Sequence, residues 1–260
     1  MTPEHGVSVR EAAGLADLEA IAALFNRVWD GAPDSSQITV ALLRAFSMTG
    51  NYVAVAFVGE HLAGAAVGFL APHNGSLHSH ITGVEAKYRA QQIGYLLKCH
   101  QRDWALGRGI GSITWTFDPL VRRNAYFNLV KLGARATDYL PDCYGPMHDG
   151  LNRGEASDRL FVEWDLLSPA AAGPPEGDHR PLITVRDDAL RVVPWTGGPA
   201  FVPVPEDIER VRVENPLLAR AWRAHVRDVL AGALAGGAEI AAFDRRHGYL
   251  ITYPAKTGER

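Results

Sequence analysis

The sequence predicts a mixed α+β fold, in which a mostly antiparallel sheet is flanked by helices and a smaller α+β part follows. Two observations lead to this prediction. Residues 52–58, 62–70 and 77–85 are apolar stretches separated by turn signals, which is typical of consecutive antiparallel strands. Residues 77–118 then read as strand, loop, helix and strand, and such a unit places its two strands parallel with a right-handed crossover.

The N-terminal part supplies a short strand and two helices before this sheet begins. Residues 7–11 read as a strand. The next segment has apolar side chains at helical spacing, and residues 39–48 predict a second helix. The first helix carries Leu18, Ile21, Leu24, Phe25 and Val28 on one face.

The unit around residues 77–118 is the element in which we expect a ligand site. A tight loop at residues 87–92 leads into an amphipathic helix at residues 93–106. In units with parallel strands, ligands bind at the carboxyl ends of the strands, beside the N-terminus of the connecting helix. The free backbone N–H groups and the helix dipole at that end can bind a pyrophosphate.

The remaining chain predicts a second, smaller part behind a linker. A helix at residues 121–132 ends at Gly133, and strands at residues 136–140 and 160–166 follow. The loop at residues 141–159 is either a lid or a solvated connection. Residues 169–181 are rich in Pro, Gly and Ala, so we divide the chain into domains 1–168 and 182–260.

The C-terminal part is expected to pack on the first domain, because about 80 residues make only a marginal independent core. Its predicted elements are strands at residues 183–185 and 190–193, a helix at 217–234, and a hairpin at 239–243 and 249–253. The helix is expected to bury Leu218, Trp222, Val226, Val229 and Leu230.

Composition argues against several classes of function. The 260 residues carry a net charge of -3, which gives no indication of nucleic acid or anionic membrane as a partner. No apolar run approaches the roughly 20 residues of a membrane span, and the N-terminus lacks the apolar core of a signal peptide, so we expect a cytoplasmic protein. Cys99 and Cys143 lack metal or redox spacing, and His78 with His80 lacks a third ligand, so no metal is expected.

The residues from Val84 to Gly94, VEAKYRAQQIG, resemble the acyl-CoA signature of the GNAT superfamily of N-acyltransferases. That signature is a strand ending in Val, followed by Arg/Gln-x-x-Gly-x-Gly/Ala at the start of a helix. Arg89 and Gly94 match it, whereas Gln92 replaces the middle glycine. The resemblance covers roughly residues 7–167, and the predicted order of strands and helices fits it.

The resemblance implies acetyl-CoA or another acyl-CoA as co-substrate and the primary amine of a small molecule as acceptor. The pantetheine arm would pair with the strand edge, and the loop would hold the pyrophosphate. Two asparagines one helical turn apart would contact the arm. The implied cofactor-binding residues are Thr82, Gly83, Val84, Arg89, Ala90, Gln91, Gln92, Gly94, Tyr95, Asn124 and Asn128.

One position departs from the family pattern in a way that bears on mechanism. The superfamily commonly has a tyrosine four residues before the closing glycine, which can protonate the CoA thiolate. Leu129 occupies that position here. The sequence leaves open whether Tyr126 or a water replaces this acid, or whether the thiolate leaves without one.

The acceptor pocket is predicted from position in the implied fold, and its residues are Trp29, His78, Thr116, Arg122, Arg123 and Tyr144. Trp29 could equally be a core side chain at the end of a helix. The two arginines could bind a carboxylate as a fork or be surface charges. The segments WTFDPL, RNA-x-F-N and K-x-G resemble a branch that includes amino-acid N-succinyltransferases, which would make succinyl-CoA a donor.

A base must remove a proton from an ammonium acceptor before it attacks. Glu85 and Asp118 end the two parallel strands, so either could act as this base, and His80 is the third candidate. Strand alternation puts Glu85 on the face opposite His80 unless a β-bulge at Gly83 reverses the phase. The other assignments for these carboxylates are a solvated Glu85 and an Asp118 that caps the following helix.

A function of another class is also considered. The replacements at Gln92 and Leu129 would suit a non-catalytic acyl-CoA-binding or partner-binding module that keeps the fold, because fold does not determine function. Donor chain, acceptor and oligomeric state, including a homodimer, stay open.

Overall fold

The structure is a computed structural model that describes residues 6–29, 38–72, 75–145, 155–168, 179–186 and 189–254. The central part of the loop at 141–159 and most of the linker at 169–181 lie outside these residues. The described chain forms two compact units. The first contains the described residues up to Trp115 together with Asp165–Leu167, and the second contains the rest.

The first unit contains five strands and three α-helices among its described residues. The strands lie in the order β1-β2-β3-β4-β5. Every pairing between neighbours is antiparallel except that of β4 with β5, which is parallel. The elements are β1 (Val7–Glu11), α1 (Gly14–Val28), α2 (Val40–Met48), β2 (Tyr52–Val58), β3 (His61–Ala71), β4 (Ser76–Val84), α3 (Ile93–Leu106) and β5 (Ser112–Phe117), whose last two residues belong to the second unit.

Helices cover both faces of this sheet. The core under α1 and α2 contains Phe25, Val55 and Ala65, all of them buried. A Cβ on Gly64, the neighbour of Ala65, would meet Ile93 and Leu97 of α3 at 2.9 and 3.2 Å. Adjacent residues of a strand point to opposite faces, so α3 packs on the face opposite α1 and α2.

A β-bulge interrupts the pairing of β3 with β4. Val67 pairs with Ile81 and Gly68 pairs with Ser79, so His80 is an extra residue on β4. Side-chain alternation is therefore reset at His80. The bulge predicted as an alternative at Gly83 exists, but three residues earlier along the strand.

The second unit combines a hairpin from the middle of the chain with the C-terminal elements. The elements after β5 are α4 (Arg122–Ala125), a π-helix (Tyr126–Lys131), β6 (Arg135–Leu140), β7 (Arg159–Asp165), β8 (Arg180–Pro181), β9 (Ile183–Arg186), β10 (Ala189–Val192), β11 (Ala200–Val202), α5 (Ile208–Glu214), α6 (Pro216–Ala235), β12 (Glu239–Asp244) and β13 (Gly248–Thr252). β6 pairs with β7, β9 pairs with β10, and the other strands follow the order β12-β13-β11-β8.

The core of the second unit includes residues from both sides of the predicted linker. α6 packs on β6 and β11, and β12 packs on β6 and the π-helix. The compact units therefore differ from the predicted domains, because segments 116–145 and 155–164 share contacts with the C-terminal elements. The sequence pattern did not indicate α5 or β11. On α6, the buried positions are Ala219, Arg223, Val226, Leu230 and Ala233, and only Val226 and Leu230 were predicted.

Candidate active site

The edge of β4 next to β5 is open along most of its length. β4 pairs with β5 only through Leu77–Ile113 and His78–Thr114. It continues to pair with β3 on its other side as far as Val84. Residues 79–84 therefore have no strand partner on this edge within the described part of the unit. An extended ligand can form backbone hydrogen bonds there, as predicted for Thr82, Gly83 and Val84.

A turn and a helix N-terminus follow directly from this open edge. Ala86–Gln91, which contains Arg89 and Ala90, forms a 3-10 turn, and α3 begins at Ile93. The first N–H groups of a helix lack intrahelical acceptors, and the first turn of α3 contains no acidic residue. The site therefore presents amide donors and the positive end of the helix dipole to an anion.

The backbone conformation of Gln92 accounts for the glycine that is common at this position in the GNAT signature. Its φ of 57° and ψ of 17° lie in the left-handed region, where a side chain is unfavourable. A left-handed conformation costs roughly 1–2 kcal/mol for a residue with a Cβ. The backbone of Gln92 therefore adopts the turn expected of this loop, at a cost to stability.

Gly94 and Gly83 are glycines for different reasons. A Cβ on Gly83 would meet Phe25 at 2.9 Å and Trp29 at 3.0 Å, so packing requires this glycine. A Cβ on Gly94 would meet only Val84, at 3.9 Å, which is an ordinary contact. Protein packing does not require Gly94, and the space beside it is open to a ligand.

The loop also carries basic and aromatic side chains. Arg89 is exposed and has no carboxylate partner among the described residues. Lys87 lies 3.6 Å from Glu85. Tyr95 is exposed in the first turn of α3, and a hydrogen bond with Cys99 raises the pKa of its hydroxyl. Arg89 is therefore the cation of this loop that is free to pair with a phosphate.

His78 and His80 lie on one face of β4, as predicted, because both rings pack beside Phe69. His78 Nδ1 lies 3.1 Å from Thr114 Oγ1, and burial, with the charges of His80 and Lys98, lowers the pKa of His78 to about 4. His80 is exposed as a residue, and partial loss of hydration lowers the pKa of its ring. A neutral imidazole near pH 7 can accept a proton.

Glu85 lies on the same side of the sheet as His80, because the bulge resets the alternation. Its carboxylate accepts hydrogen bonds from Arg27 of α1 at 2.7 and 3.1 Å. These bonds, with a smaller contribution from Lys87, lower the pKa of Glu85. A carboxylate with a lowered pKa is a weaker proton acceptor, so this environment argues against Glu85 as the first choice of base.

Asp118 is the centre of a buried ion network, which argues against the base role predicted for it. Arg212 Nη2 lies 2.6 Å from its carboxylate, and Arg223 donates to it at 2.8 and 3.0 Å. Burial alone would raise the pKa of Asp118, but the two guanidinium groups hold it well below its ordinary value. The carboxylate also accepts from the Leu120 N–H at 2.9 Å, which closes a turn before α4. The N-cap of α4 is Val121, and no side chain caps this helix, so the structure argues against the capping role as well.

The two arginines predicted to line the acceptor pocket are engaged by other groups of the protein. In the second unit, Arg122 donates to the carbonyl oxygens of Val204, Pro205 and Arg245, and Arg123 forms two 2.6 Å bonds with Glu209. Neither guanidinium is free to form a carboxylate fork, so the structure argues against that prediction.

The other acceptor predictions fall in both units. Trp29 packs edge-on against Phe25, with ring centroids 5.4 Å apart, and covers Gly83, which is the core role. Thr116 and Tyr144 are brought together, with their hydroxyl oxygens 2.9 Å apart. Their place in an acceptor pocket stays a prediction.

Asn124 and Asn128 lie on different kinds of helix. Asn124 belongs to α4, and Asn128 is buried within the π-helix. The wider π turn changes which side chains share a face, so the simple spacing of one α-helical turn does not apply. The ring of Tyr126 is covered by the Arg245 guanidinium at 3.8 Å. Its role as a substitute acid stays a prediction.

Sequence reasoning missed a buried polar cluster beneath β4. Lys98 of α3 is buried, and its Nζ donates to Ser79 Oγ at 2.8 Å and Gln101 Oε1 at 3.2 Å. The same Nζ lies 3.8 Å from the centroid of the Trp115 ring. A sequence signal existed, because Lys98 and Gln101 fall on the apolar stripe that also carries Leu97 and Trp104.

The described ranges contain neither a candidate membrane span nor a candidate metal site. No described helix is long and apolar enough to cross a bilayer. The described residues contain no group of three or more His, Cys, Asp or Glu side chains placed to hold a metal ion.

Comparison with solved structures identifies the fold. An N-acetyltransferase from Staphylococcus aureus Mu50 gives a TM-score of 0.52 at 16% identity, covering 62% of this chain and 98% of the other. A Salmonella typhimurium protein solved with its cofactor acetyl-CoA gives 0.51 at 19%, covering 64% and 97%. A ribosomal-protein-S5-alanine acetyltransferase from Vibrio fischeri gives 0.51 at 16%, covering 64% and 96%.

A Desulfovibrio desulfuricans protein described as a putative acetyltransferase of the GNAT family gives 0.50 at 14%, covering 62% and 99%. These similarities establish that the chain has the GNAT fold. More than a third of this chain lies outside each match. No family model matches the sequence, and no curated protein matches it.

Proposed function

From the GNAT fold of this chain, we propose that it transfers an acyl group from acyl-CoA to an amine. The observation that carries the proposal is the open edge of β4 leading into the N-terminus of α3. Backbone donors at residues 79–84 suit an extended amide-bearing arm, and the helix N-terminus suits a pyrophosphate. Gly94, which packing does not require, lies at the start of the helix.

Acyl-CoA would supply the thioester, whose acyl carbon is open to direct attack by an amine. The residues that would hold it are the β4 edge at Thr82–Val84, the turn from Arg89 to Gln92, and the first turn of α3. The amine is ammonium in water near neutral pH and must lose a proton before it attacks. His80 is the base that we propose, because Glu85 is paired with Arg27 and Asp118 with two arginines.

The finer identity of the substrates belongs to this proposal as well. A small-molecule amine, such as an amino acid, is our first choice of acceptor, with acetyl-CoA or succinyl-CoA as donor. The succinyl donor is supported by sequence resemblance alone, because Arg122 and Arg123 have other partners. A ribosomal-protein acetyltransferase is among the matched structures, so a protein amine is the next acceptor to test.

Replacing Gly94 with valine is expected to abolish the rise in melting temperature that CoA causes in the wild-type protein. A ligand that binds only the folded state stabilises it by mass action, and about 100 times its Kd adds roughly 2.7 kcal/mol. Valine would project into the open space beside the loop while meeting only Val84. Differential scanning fluorimetry with and without CoA measures the effect.

The matched control is Gly232→Val in α6, where an added Cβ meets no atom within 4 Å and is therefore tolerated by packing, as it is at Gly94. This variant should keep the full CoA-dependent shift, because it makes the same helical substitution away from the loop. An unchanged CoA shift in Gly94→Val would show that the pyrophosphate does not bind at this loop.

A non-catalytic acyl-CoA-binding module is the second candidate function. Leu129 replaces the acid that the family commonly has, and Gln92 occupies a left-handed position that a glycine would favour. Such a module would bind CoA like the enzyme but would release no thiol when amines are added. Amine-dependent turnover separates the two.

A further inference from the structure

We infer that Lys98 provides, through the hydroxyl of Ser79, the proton taken up by the departing CoA thiolate. The inference rests on the proposed acyl transfer and deepens it. It assigns a proton source to a chain that has Leu129 where the family commonly has the tyrosine acid.

The position of the Lys98 amine carries this inference. The last β4–β5 pair is His78–Thr114, so Ser79 and Trp115 are the next residues on the two strands, where pairing has ended. Lys98 Nζ is 2.8 Å from Ser79 Oγ and 3.8 Å from the Trp115 ring centroid. The Lys98 amine therefore lies beneath the point at which β4 and β5 separate. This point is where the unpaired edge of β4 begins.

The surroundings of this amine are rich in donors and poor in acceptors. Lys98 is 5% exposed, and its described hydrogen bonds go to the neutral Ser79 and Gln101 rather than to a carboxylate. The buried Nε2 of Gln101, the residue whose Oε1 accepts from Lys98, has no hydrogen-bond partner in the described structure. A buried ammonium without a counter-ion is costly, so this arrangement suits a site where negative charge develops during a reaction.

The titratable groups on the strands packed against α3 do not compensate this ammonium. On β1, Glu11 accepts a hydrogen bond from Trp104 Nε1 at 3.0 Å. On β2, Tyr52 bonds with His100, and β3 begins with the exposed His61.

On β4, His78 and His80 carry no negative charge, so they do not compensate this ammonium either. Burial lowers the pKa of Lys98 to about 7, so its ammonium releases a proton far more readily than an exposed lysine does.

The proposed step balances in atoms and charge. The amine nitrogen bonds to the acyl carbon, and the carbon–sulfur bond then breaks with its electron pair on sulfur. The Ser79 O–H proton passes to the sulfur, and a Lys98 N–H proton passes to the Ser79 oxygen. His80 takes a proton from the ammonium before attack and passes it to solvent, and the nitrogen loses its second proton to solvent as the amide forms. CoA leaves as the thiol, and the neutral Lys98 regains a proton from solvent.

The test compares Lys98→Met, Lys98→Arg and Ser79→Ala with the wild type and with Lys131→Met, which changes an exposed lysine. We expect kcat with saturating acyl-CoA and amine to fall about 100-fold in the first three, because arginine keeps the charge but does not release a proton. In the wild type, kcat should decline as pH rises above about 7, and this decline should be absent from the three variants. Lys131→Met should behave as the wild type.

The CoA-dependent shift in melting temperature separates failure of this inference from failure of the proposed function. The shift should persist in all four variants, since none of them changes the loop that holds the pyrophosphate. Wild-type kcat in Lys98→Met, recovery of kcat in Lys98→Arg, or an unchanged pH profile in Ser79→Ala would overturn the inference. An absent CoA shift in the wild type would overturn the proposed function on which it rests.

Discussion

Replacing Arg223 with methionine is expected to lower the free energy of unfolding by about 3–5 kcal/mol, the range for removing one partner of a buried ion pair. Arg223 and Arg212 both contact Asp118, and Glu155 lies 3.0 Å from Arg212 and 3.6 Å from Arg223. All these side chains are less than one tenth exposed. Without Arg223, a buried carboxylate loses two hydrogen bonds and much of its charge compensation.

Urea unfolding at pH 7 measures this effect, and Arg210→Met is the matched control. Arg210 forms an exposed pair with Glu214 on α5, and pairs that solvent screens in this way contribute little to stability. A cost for Arg223→Met no larger than that for Arg210→Met would contradict a stabilising ion network at Asp118.

The same network predicts a pH dependence with a defined sign. The folded state holds the pKa of Asp118 below its ordinary value, so the unfolded state binds more protons in acid. The stabilisation is complete above the unfolded pKa of about 3.9 and is lost as pH falls below it.

Replacing His80 with glutamine is expected to lower kcat by roughly 100-fold or more, which is the usual contribution of a general base. CoA affinity should change little, because the ring lies on the α1 side of the sheet beside Phe69, whereas the loop residues hold the pyrophosphate. Wild-type kcat should rise with pH as His80 loses its proton, which happens below the ordinary histidine pKa because burial lowers the pKa of this ring. This rise should be absent from the pH profile of the variant. Steady-state kinetics over a range of pH measure both effects.

The control is His61→Gln, which changes an exposed histidine at the start of β3 and should leave kcat unchanged. Near-normal turnover in His80→Gln would reject the histidine as base. Glu85→Gln would then be the next variant, although its pairing with Arg27 predicts a smaller loss of activity than for His80.

Local sequence patterns predicted the elements around the site well. The spacing of apolar residues predicts a helix at residues 93–106, and α3 spans Ile93–Leu106. The bulge at His80 was harder to place, because a one-residue insertion depends on the register between β3 and β4. Sequence alternation alone therefore put Glu85 on the wrong face, and the bulge brings it to the side of His80.

Roles that depend on partners far along the chain could not be predicted in this way. Asp118 was predicted as a base from its place at a strand end, but its two arginine partners are more than 90 residues away. Arg223 lies on the buried stripe of α6, where sequence reasoning expected apolar residues. Lys98 follows the same pattern on α3, and a charged residue on an apolar stripe was the available signal for both.

Acyl transfer by this chain is tested by measuring thiol release from acetyl-CoA and succinyl-CoA in the presence of a panel of amines, with the product identified by mass spectrometry. For an acyltransferase we expect amine-dependent release of CoA thiol and one N-acylated amine per thiol. Turnover should be lost in Gly94→Val and His80→Gln but not in Gly232→Val. A CoA-dependent rise in melting temperature without amine-dependent thiol release, for small-molecule and protein amines alike, would contradict acyl transfer and leave the chain as a binding module.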